Sequence, residues 1–346
     1  MTEESLPISR KMDGFYTIRN GIPLQHSLRG LTLNVFNSFG RDITGTNFQD
    51  ALVASDLDWS VSKLPIYAMG GDHETPITTN KHFAMVRNDT STMLGIVGPD
   101  YTPIQNEELA YLCERVAVNG VKLNTAGFLN GGQRVWMQLE GDSFGVGPKG
   151  DEVVPTTLFT NGHDGQWPLS SLPTSYRVIC QNTLNMALSS ARKNNMIISL
   201  KHVGNVSDRL EQMVYAIENW KHHTEVFQDR VKFLGNKEVT TEMVQEFWVK
   251  LYSNMFGTIH SNPQSEESLA DNKKATSVIT NWCNTFDSEV KLSGANMWTA
   301  MNAVTYWLDH EQIYRGNNKR DNKFNDILFG NRAKQKIEVL EYALAA

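Results

Sequence analysis

The chain has 346 residues, of which 40% are hydrophobic and 10% aromatic, and its formal net charge is −6. This composition excludes wholesale disorder, and the length suffices for one large domain or two of ordinary size. No run of about 18 apolar residues occurs, so no membrane-spanning helix is expected, and the acidic balance excludes a surface that is basic throughout.

Residues 1 to about 45 contain scattered glycines and little periodicity, which predicts an extended arm with short strands. Met1–Pro7 is acidic and lacks an apolar core, so no secretion signal is expected. The cysteines are odd in number and far apart, as in a protein of the reducing cytoplasm. We interpret Cys113, Cys180 and Cys283 as buried small hydrophobic residues.

The first half of the chain alternates between helix and strand signals. A short helix is predicted over Asn47–Ser55 and a strand over Leu57–Pro65. Lys81–Arg87 and Thr92–Val97 flank a polar turn and predict a hairpin. Asn106 then caps a helix whose first turn is acidic, which suits the positive end of the helix dipole.

The central segment has the pattern of an antiparallel sheet. Two alternating runs within Val121–Glu140 flank Asn130-Gly131, the strongest short hairpin signal. Further strands are predicted over Val153–Phe159 and Tyr176–Cys180, and a helix from about Asn182. The order is strand, turn, strand, strand, strand, helix.

After residue 205 the apolar period changes from 2 to 3.6. Helices are predicted over residues 207–234, 240–251, 275–286, 296–314 and 332–346, with polar loops over residues 257–273 and 316–323. The helix from Thr240 starts with a capping signature. The fold class is therefore α+β, with a β-β-β-α-like core and a helical C-terminal region. Its predicted parts are an N-terminal arm (1–78), an α+β core (79–205) and a helical region (206–346).

Charge is segregated along the chain. Residues 177–209 contain five basic residues against one acid, and residues 313–336 contain seven against two, so the remainder is strongly acidic. Segregation of this kind forms a groove for a polyanion on an acidic body, although solvated helix faces produce similar runs.

These basic segments supply the predicted nucleic-acid contacts. On a helix from about Asn182, the residues Asn185, Ser189 and Arg192 recur on one polar face. Amide, hydroxyl and guanidinium groups bind phosphate oxygens without base preference, and an exposed amphipathic helix explains the same pattern. The predicted contacts are Arg177, Asn182, Asn185, Arg192, Lys193, Lys201, His202, Arg209, Arg315, Lys319, Arg320 and Lys323.

A second candidate is the glycine-flanked loop Asn161-Gly-His-Asp-Gly165. His163 beside Asp164 is typical of a general base or a ligand-binding loop, but Asn161, His163 and Asp164 also suit a simple turn. Trp136 and Trp167 are candidates for base stacking, or for the core. The chain has no P-loop, dinucleotide fingerprint, nucleophile elbow or His-x₃-His pair, so no cofactor or metal is predicted.

Several ordered motifs, among them Tyr101-Thr-Pro-Ile-Gln-Asn106, Gly131-Gly-Gln-Arg-Val-Trp136 and Lys201-His-Val-Gly-Asn-Val206, resemble the phage/plasmid-like family catalogued as domain of unknown function 932. The likeness runs from about residue 50 to the C-terminus. The Pro-Trp-His-Gly-like motif of many members is absent, and only Gln25-His26-Ser27 stands in that region. The resemblance implies a mobile-element context and no particular activity.

The element order is also similar to the β-β-β-α core of single-strand annealing proteins, which form rings or filaments around single-stranded DNA. This likeness implies a sequence-nonspecific, homo-oligomeric annealing protein in the host-cell cytoplasm, more a binding protein than an enzyme. Two alternatives stay open: a metal- or base-dependent nucleic-acid or nucleotide hydrolase that uses His163 and Asp164, and a host-takeover factor that binds a bacterial protein.

Overall fold

The computed structural model describes residue 36 and residues 39–346, apart from 70–75, 118–120, 179–182, 186–197, 206–207, 209, 212, 215–219 and 315–317. Most of the predicted N-terminal arm lies outside these residues. The strands are β1 (Arg41–Asp42), β2 (Val61–Ala68), β3 (Ile77–Arg87), β4 (Thr92–Val97), β5 (Lys122–Leu129), β6 (Arg134–Glu140), β7 (Phe144–Val146), β8 (Asp151–Gly162), β9 (Leu169–Arg177), β10 (Thr183–Asn185) and β11 (Ile198–Leu200). The helices are α1 (Phe48–Ala54), α2 (Asn106–Ala117), α3 (Trp220–Asn236), α4 (Thr241–Met255), α5 (Glu266–Ser293), α6 (Met297–Tyr306), α7 (Lys319–Leu328) and α8 (Asn331–Ala345).

The larger sheet is antiparallel, with the order β1-β5-β6-β8-β9-β10, while β7 pairs with β8 and β11 with β9. A tight turn over Asn130–Gly132 joins β5 to β6, with φ of 50° at Asn130 and 69° at Gly131. Asn and Gly adopt this left-handed region at the lowest cost, which is why the hairpin was legible in the sequence. The antiparallel sheets and the helical C-terminal region confirm the predicted α+β class.

Two prolines lie inside the long strands of this sheet. Pro155 in β8 falls between the segment that pairs with β7 and the segment that pairs with β6. Pro173 in β9 likewise falls between the segments that pair with β11 and with β10. Proline has no N–H to donate, so it is tolerated where the neighbouring strand changes.

The smaller sheet has the order β2-β3-β4 and confirms the hairpin predicted over residues 81–97. Val61, Met85 and Val97 face inward and join a core with α1, α2 and the larger sheet. The opposite face of the smaller sheet carries exposed side chains.

The helical region has its own core, built around Trp248, Trp282 and Trp298. Thr240 caps α4 by accepting a hydrogen bond from the Met243 N–H, as the sequence predicted. Helix α7 instead packs on the larger sheet, where Phe324 contacts Phe36 and Trp136.

Five segments described below differ from their predictions. Thr183–Asn185 is strand β10 and not the start of a helix, because it pairs with the end of β9. The strand predicted over Tyr176–Cys180 is β9 and ends at Arg177. Helix α5 begins inside the predicted 257–273 loop, and α7 replaces most of the predicted 316–323 loop because Phe324, Ile327 and Leu328 are buried. The helix predicted over residues 296–314 ends at Tyr306 and continues as a π-helical turn over Trp307–Glu311.

Candidate nucleic-acid interface

Arg177, the central residue of the predicted contacts, is buried at the end of β9 with 2% of its surface exposed. Its Nε donates to Asp151 Oδ2 at 2.5 Å, and its other nitrogens bond Glu289 and Ser293. Asp151 also accepts a hydrogen bond from Trp298 Nε1 at 2.8 Å. The prediction that Arg177 contacts nucleic acid is therefore wrong, because carboxylates from β8 and α5 enclose its charge.

A second buried charge joins the sheet to the last helix. Lys336 in α8 donates to Asp309 Oδ1 at 2.8 Å and to Thr183 Oγ1 at 2.6 Å. Asp309, in the π-helical turn, also accepts from the Thr183 N–H at 2.8 Å. Burial lowers the pKa of Lys336, and Asp309 opposes that effect. Lys336 thus adds nothing to the basic surface expected around residues 313–336.

The remaining predicted contacts are scattered. Lys201 is exposed, whereas His202 is 4% exposed and stacks on the Tyr101 ring at 4.8 Å, so His202 does not face a ligand in solution. Asn185 lies in β10 and not on a helical stripe. Asn182, Arg192, Lys193, Arg209 and Arg315 lie outside the described residues.

Three of the predicted nucleic-acid contacts, Lys319, Arg320 and Lys323, lie on helix α7. Lys319 and Arg320 are exposed in its first turn, and the Arg320 guanidinium donates to the Phe39 carbonyl oxygen. Lys323 is half-buried on the side that faces Asp309, and burial lowers its pKa. The helix therefore presents two cations to solvent and turns a third toward an acid.

Next to α7 lies an arginine stacked on a tryptophan. The Arg134 guanidinium sits over the Trp167 ring at 3.8 Å and donates to Asn325 Oδ1 of α7 at 2.5 Å. Phe329 contacts the same indole edge-on. Among the residues that the structure describes, Arg134 Nε has no hydrogen-bond partner. Burial lowers the pKa of Arg134, and Asp164 opposes that effect. Both Arg134 and Trp167 remain partly exposed.

A second arginine stack contacts the Asn130–Gly132 turn. The Arg87 guanidinium is 4.2 Å from the Trp59 ring centroid and donates to the Gly131 carbonyl oxygen at 3.2 Å. It also pairs with Asp89 at 2.8 Å, which offsets its charge. We call Arg87, Arg134, Trp167, Lys319 and Arg320 the hairpin-end surface.

The turn itself holds this surface together. The Asn130 N–H donates to Asp321 Oδ2 of α7 at 2.7 Å, although the two residues are 191 positions apart. Sequence reasoning missed Arg87 and Arg134, since nothing local marks them apart from other surface arginines. Arg134 does follow the Asn-Gly turn closely, and that position is the only local signal it offers.

The loop that contains His163 is buried. His163 Nε2 bonds Asn106 Oδ1 at 3.0 Å, and burial lowers the pKa of His163 to about 3, with His202 adding to the effect. Asn161 donates to the Ile104 carbonyl oxygen at 2.9 Å. Asp164 Oδ1 accepts from the N–H groups of Gln166 and Trp167. The loop therefore holds Trp167 in place, and its imidazole is neutral and enclosed.

The described part of the chain contains no group of three His, Cys, Asp or Glu residues placed to hold a metal ion. Within the same ranges, no helix is long and apolar enough to cross a membrane. Cys113 and Cys283 are buried free thiols, as the sequence predicted for these two positions.

The architecture and the hairpin-end surface define an α+β protein with guanidinium groups stacked on aromatic rings beside a basic helix. The family model described as domain of unknown function (DUF932) matches residues 93–329. This match spans well over half of the 346 residues, so the chain belongs to that family. The match begins later than residue 50 and ends at residue 329, whereas the motif resemblance was expected to run from about residue 50 to the C-terminus. No curated protein and no solved structure matches the chain.

Proposed function

We propose that the protein binds single-stranded DNA without sequence preference and anneals complementary strands, acting as a homo-oligomer in the cytoplasm of a cell that carries a mobile element. The observation that supports this proposal most directly is the Arg134–Trp167 stack beside Lys319 and Arg320. The DNA path differs from the one inferred from the sequence, because Arg177 and Lys336 are enclosed by acids.

The chemistry of this surface suits a single strand. Every base has a π-face, so an indole that is partly open to solvent, as Trp167 is, stacks bases of any sequence. A guanidinium that already lies over an indole is available both to stack and to bind phosphate. Lys319 and Arg320 supply further positive charge for the backbone, and such contacts carry no base preference.

The surface is small and partly neutralised. Arg87 is paired with Asp89, and Asp164 lies close enough to act on Arg134. A molecule of net charge −6 repels nucleic acid elsewhere, so binding concentrates where the cations are exposed. The proposal therefore predicts moderate affinity for each subunit and a gain in affinity when subunits assemble along one strand.

The test is binding of a labelled single-stranded oligonucleotide, followed by fluorescence anisotropy at low salt. Trp167→Leu removes the stacking ring and is expected to weaken binding by roughly 5- to 100-fold, from ~1–3 kcal/mol per stacked base. Lys319→Gln removes an exposed charge and is expected to weaken binding at low salt, with an effect that shrinks as salt is added. Lys274→Gln is the matched control, because Lys274 is exposed on α5 and distant in sequence from the surface. Strand annealing is then followed with complementary labelled strands.

Absence of DNA binding by the wild-type protein at low salt would end the proposal. If Lys319→Gln and Lys274→Gln weakened DNA binding equally, the hairpin-end surface would not be the DNA-binding site. We do not propose the hydrolase alternative, because His163 and Asp164 are buried and hydrogen-bonded within the loop. Binding to a host protein stays a prediction.

A further inference from the structure

One face of α7 follows the end of the β5–β6 hairpin. The Asp321 carboxylate accepts a hydrogen bond from the first N–H of the turn at 2.7 Å. One helical turn later, Asn325 Oδ1 accepts from Arg134 Nη1 at 2.5 Å. Just after the helix ends, Phe329 meets the Trp167 ring edge-on at 5.3 Å. Residues four apart share a helix face, so this face contacts the turn, the arginine and the indole in that order.

The side chain that holds Arg134 is an amide. Carboxylates pair with five of the other arginines that the structure describes, namely Arg41, Arg87, Arg115, Arg177 and Arg332. Arg134 forms no ion pair with any described residue, and Asn325 accepts its hydrogen bond instead. A guanidinium only donates, so the amide presents its oxygen, and the contact leaves the positive charge of Arg134 in place.

Acids lie near Arg134, but their oxygens bond other groups. Asp326, the residue after Asn325, pairs with Arg332 Nε at 3.2 Å. Asp164 acts on Arg134 through space, while its Oδ1 accepts two backbone N–H groups of its own loop. The neighbourhood is therefore not short of carboxylates, and the amide occupies the one position on α7 that contacts Arg134.

This contact leaves one edge of the Arg134 guanidinium open. Nη1 is bonded to Asn325, and Nε is sealed from solvent. Nη2 bonds none of the described residues and is not sealed. The flat face of the guanidinium lies over the Trp167 ring at 3.8 Å. A charged edge that solvent reaches, on a guanidinium fixed in orientation, is suited to binding a phosphate oxygen.

Asparagine and aspartate have nearly the same shape, so the difference between them at this position is one of charge. An aspartate would keep the hydrogen bond to Arg134 and add the attraction of opposite charges, which would hold α7 to the hairpin more firmly. It would also neutralise the cation that a phosphate requires. The amide fixes the arginine and preserves its charge.

We propose that Asn325 is a positioning residue for DNA binding: its amide oxygen fixes the Arg134 guanidinium over Trp167 without neutralising it. The inference rests on the proposed function and deepens it, because it names the residue on which the charge of the central stack depends. A purely structural contact between α7 and the hairpin needs only an acceptor, and an aspartate supplies one equally well. The two roles therefore differ in what Asn325→Asp does.

The test is anisotropy of a labelled single-stranded oligonucleotide with full-length Asn325→Asp at several salt concentrations. Each phosphate contact contributes about −0.7 to the logarithmic salt slope. Loss of one of the three contacts from cations outside ion pairs should reduce the slope by about one third and weaken binding roughly 5- to 10-fold at about 50 mM salt. The urea midpoint should equal or exceed that of the wild type, since the hydrogen bond is kept.

Asn284→Asp is the matched control, because it makes the same change in charge at an exposed position of α5. The end of α5 contacts Asp151 at the start of β8, whereas Arg134 lies opposite Gly162 at the other end of that strand. This variant should keep the wild-type slope.

A second variant tests whether the new carboxylate acts through the arginine. Arg134→Met should reduce the slope by the same third, and Asn325→Asp added to Arg134→Met should reduce it no further, because no cation is left there to neutralise. A further reduction in the double variant would place the effect of Asn325→Asp elsewhere and overturn the inference.

Wild-type affinity and slope in Asn325→Asp would show that the contact is only structural, which also overturns the inference. So would an equal loss of affinity in Asn284→Asp, or a urea midpoint of Asn325→Asp below that of the wild type. These results leave the proposed function standing, since the wild-type protein still binds DNA in each of them. Absence of DNA binding by the wild type is the separate outcome that ends the proposed function.

Discussion

Arg177 and Arg134 illustrate how little a residue's type says about its role. Both are arginines at the ends of long strands, yet Arg177 meets carboxylates from β8 and α5, whereas Arg134 meets an indole and an amide. Those partners lie from 26 to 191 positions away in the sequence. A local pattern of charge could not tell the buried ion pair from the partly exposed stack.

Loss of the Arg177 charge should strongly destabilise the protein. Arg177→Met leaves Asp151 and Glu289 buried without their cation, which costs about 3–5 kcal/mol in the free energy of unfolding. Arg41→Met is the matched control, because the Arg41–Asp56 pair is exposed and should contribute less than about 1 kcal/mol. Urea unfolding measures both, and similar losses would contradict the burial of the Arg177 pair.

His163 should make stability depend on pH. Burial holds its pKa at about 3 in the folded state, against about 6.5 in the unfolded chain. The unfolded state therefore takes up a proton first as the pH falls, so stability is complete above pH 6.5 and is lost progressively from there toward pH 3. Between pH 7.5 and pH 5 the loss from this group is about 2 kcal/mol. His163→Gln should lack that part of the loss in urea unfolding at both pH values, and an unchanged pH dependence would count against the buried neutral imidazole.

At the scale of helices and strands, the sequence predicted the turns and helix ends that depend on neighbouring residues. The Asn130-Gly131 turn, the start of α2 and the Thr240 cap were legible because a few adjacent residues determine each of them. Asn106 is nevertheless the first helical residue and not the cap, and its side-chain amide donates to the carbonyl oxygens of Leu57 and Trp59. Strand β10 and helix α7 were not, since β10 depends on pairing with β9 and α7 depends on burying Phe324 against the larger sheet. Strand β9 was misplaced because Pro173 and its serines interrupt the apolar alternation.

The approach of β4 to the His163 loop gives a prediction about these elements. A Cβ on Gly95 would lie 2.5 Å from the Asp164 carbonyl oxygen and 2.7 Å from its Cα, and backbone atoms cannot move aside cheaply. Gly95→Ala should therefore destabilise the protein by about 1–3 kcal/mol and, through displacement of Trp167, weaken DNA binding. Gly98→Ala is the control, because nothing lies within 4 Å of its added Cβ. Equal urea midpoints for the two variants would contradict the close packing of β4 on this loop.

At the scale of the whole molecule, the balance of charge limits how DNA binds. The net charge is −6, and two of the basic residues counted in the sequence clusters, Arg177 and Lys336, are neutralised inside the fold. The hairpin-end surface offers three cations that are not in an ion pair, Arg134, Lys319 and Arg320, because Arg87 is paired with Asp89. Affinity for a single strand should consequently fall with salt with a logarithmic slope of about −2 per subunit, from about −0.7 for each phosphate contact.

The slope is measured from anisotropy titrations at several salt concentrations. Lys319→Gln with Arg320→Gln should reduce its magnitude to about one third, because two of three contacts are removed. The Lys274→Gln variant should keep the wild-type slope, since Lys274 lies on α5 outside the hairpin-end surface. If the double variant kept the wild-type slope, DNA would bind elsewhere than at the hairpin-end surface. If the wild-type slope were near zero, phosphate contacts would not drive binding at all.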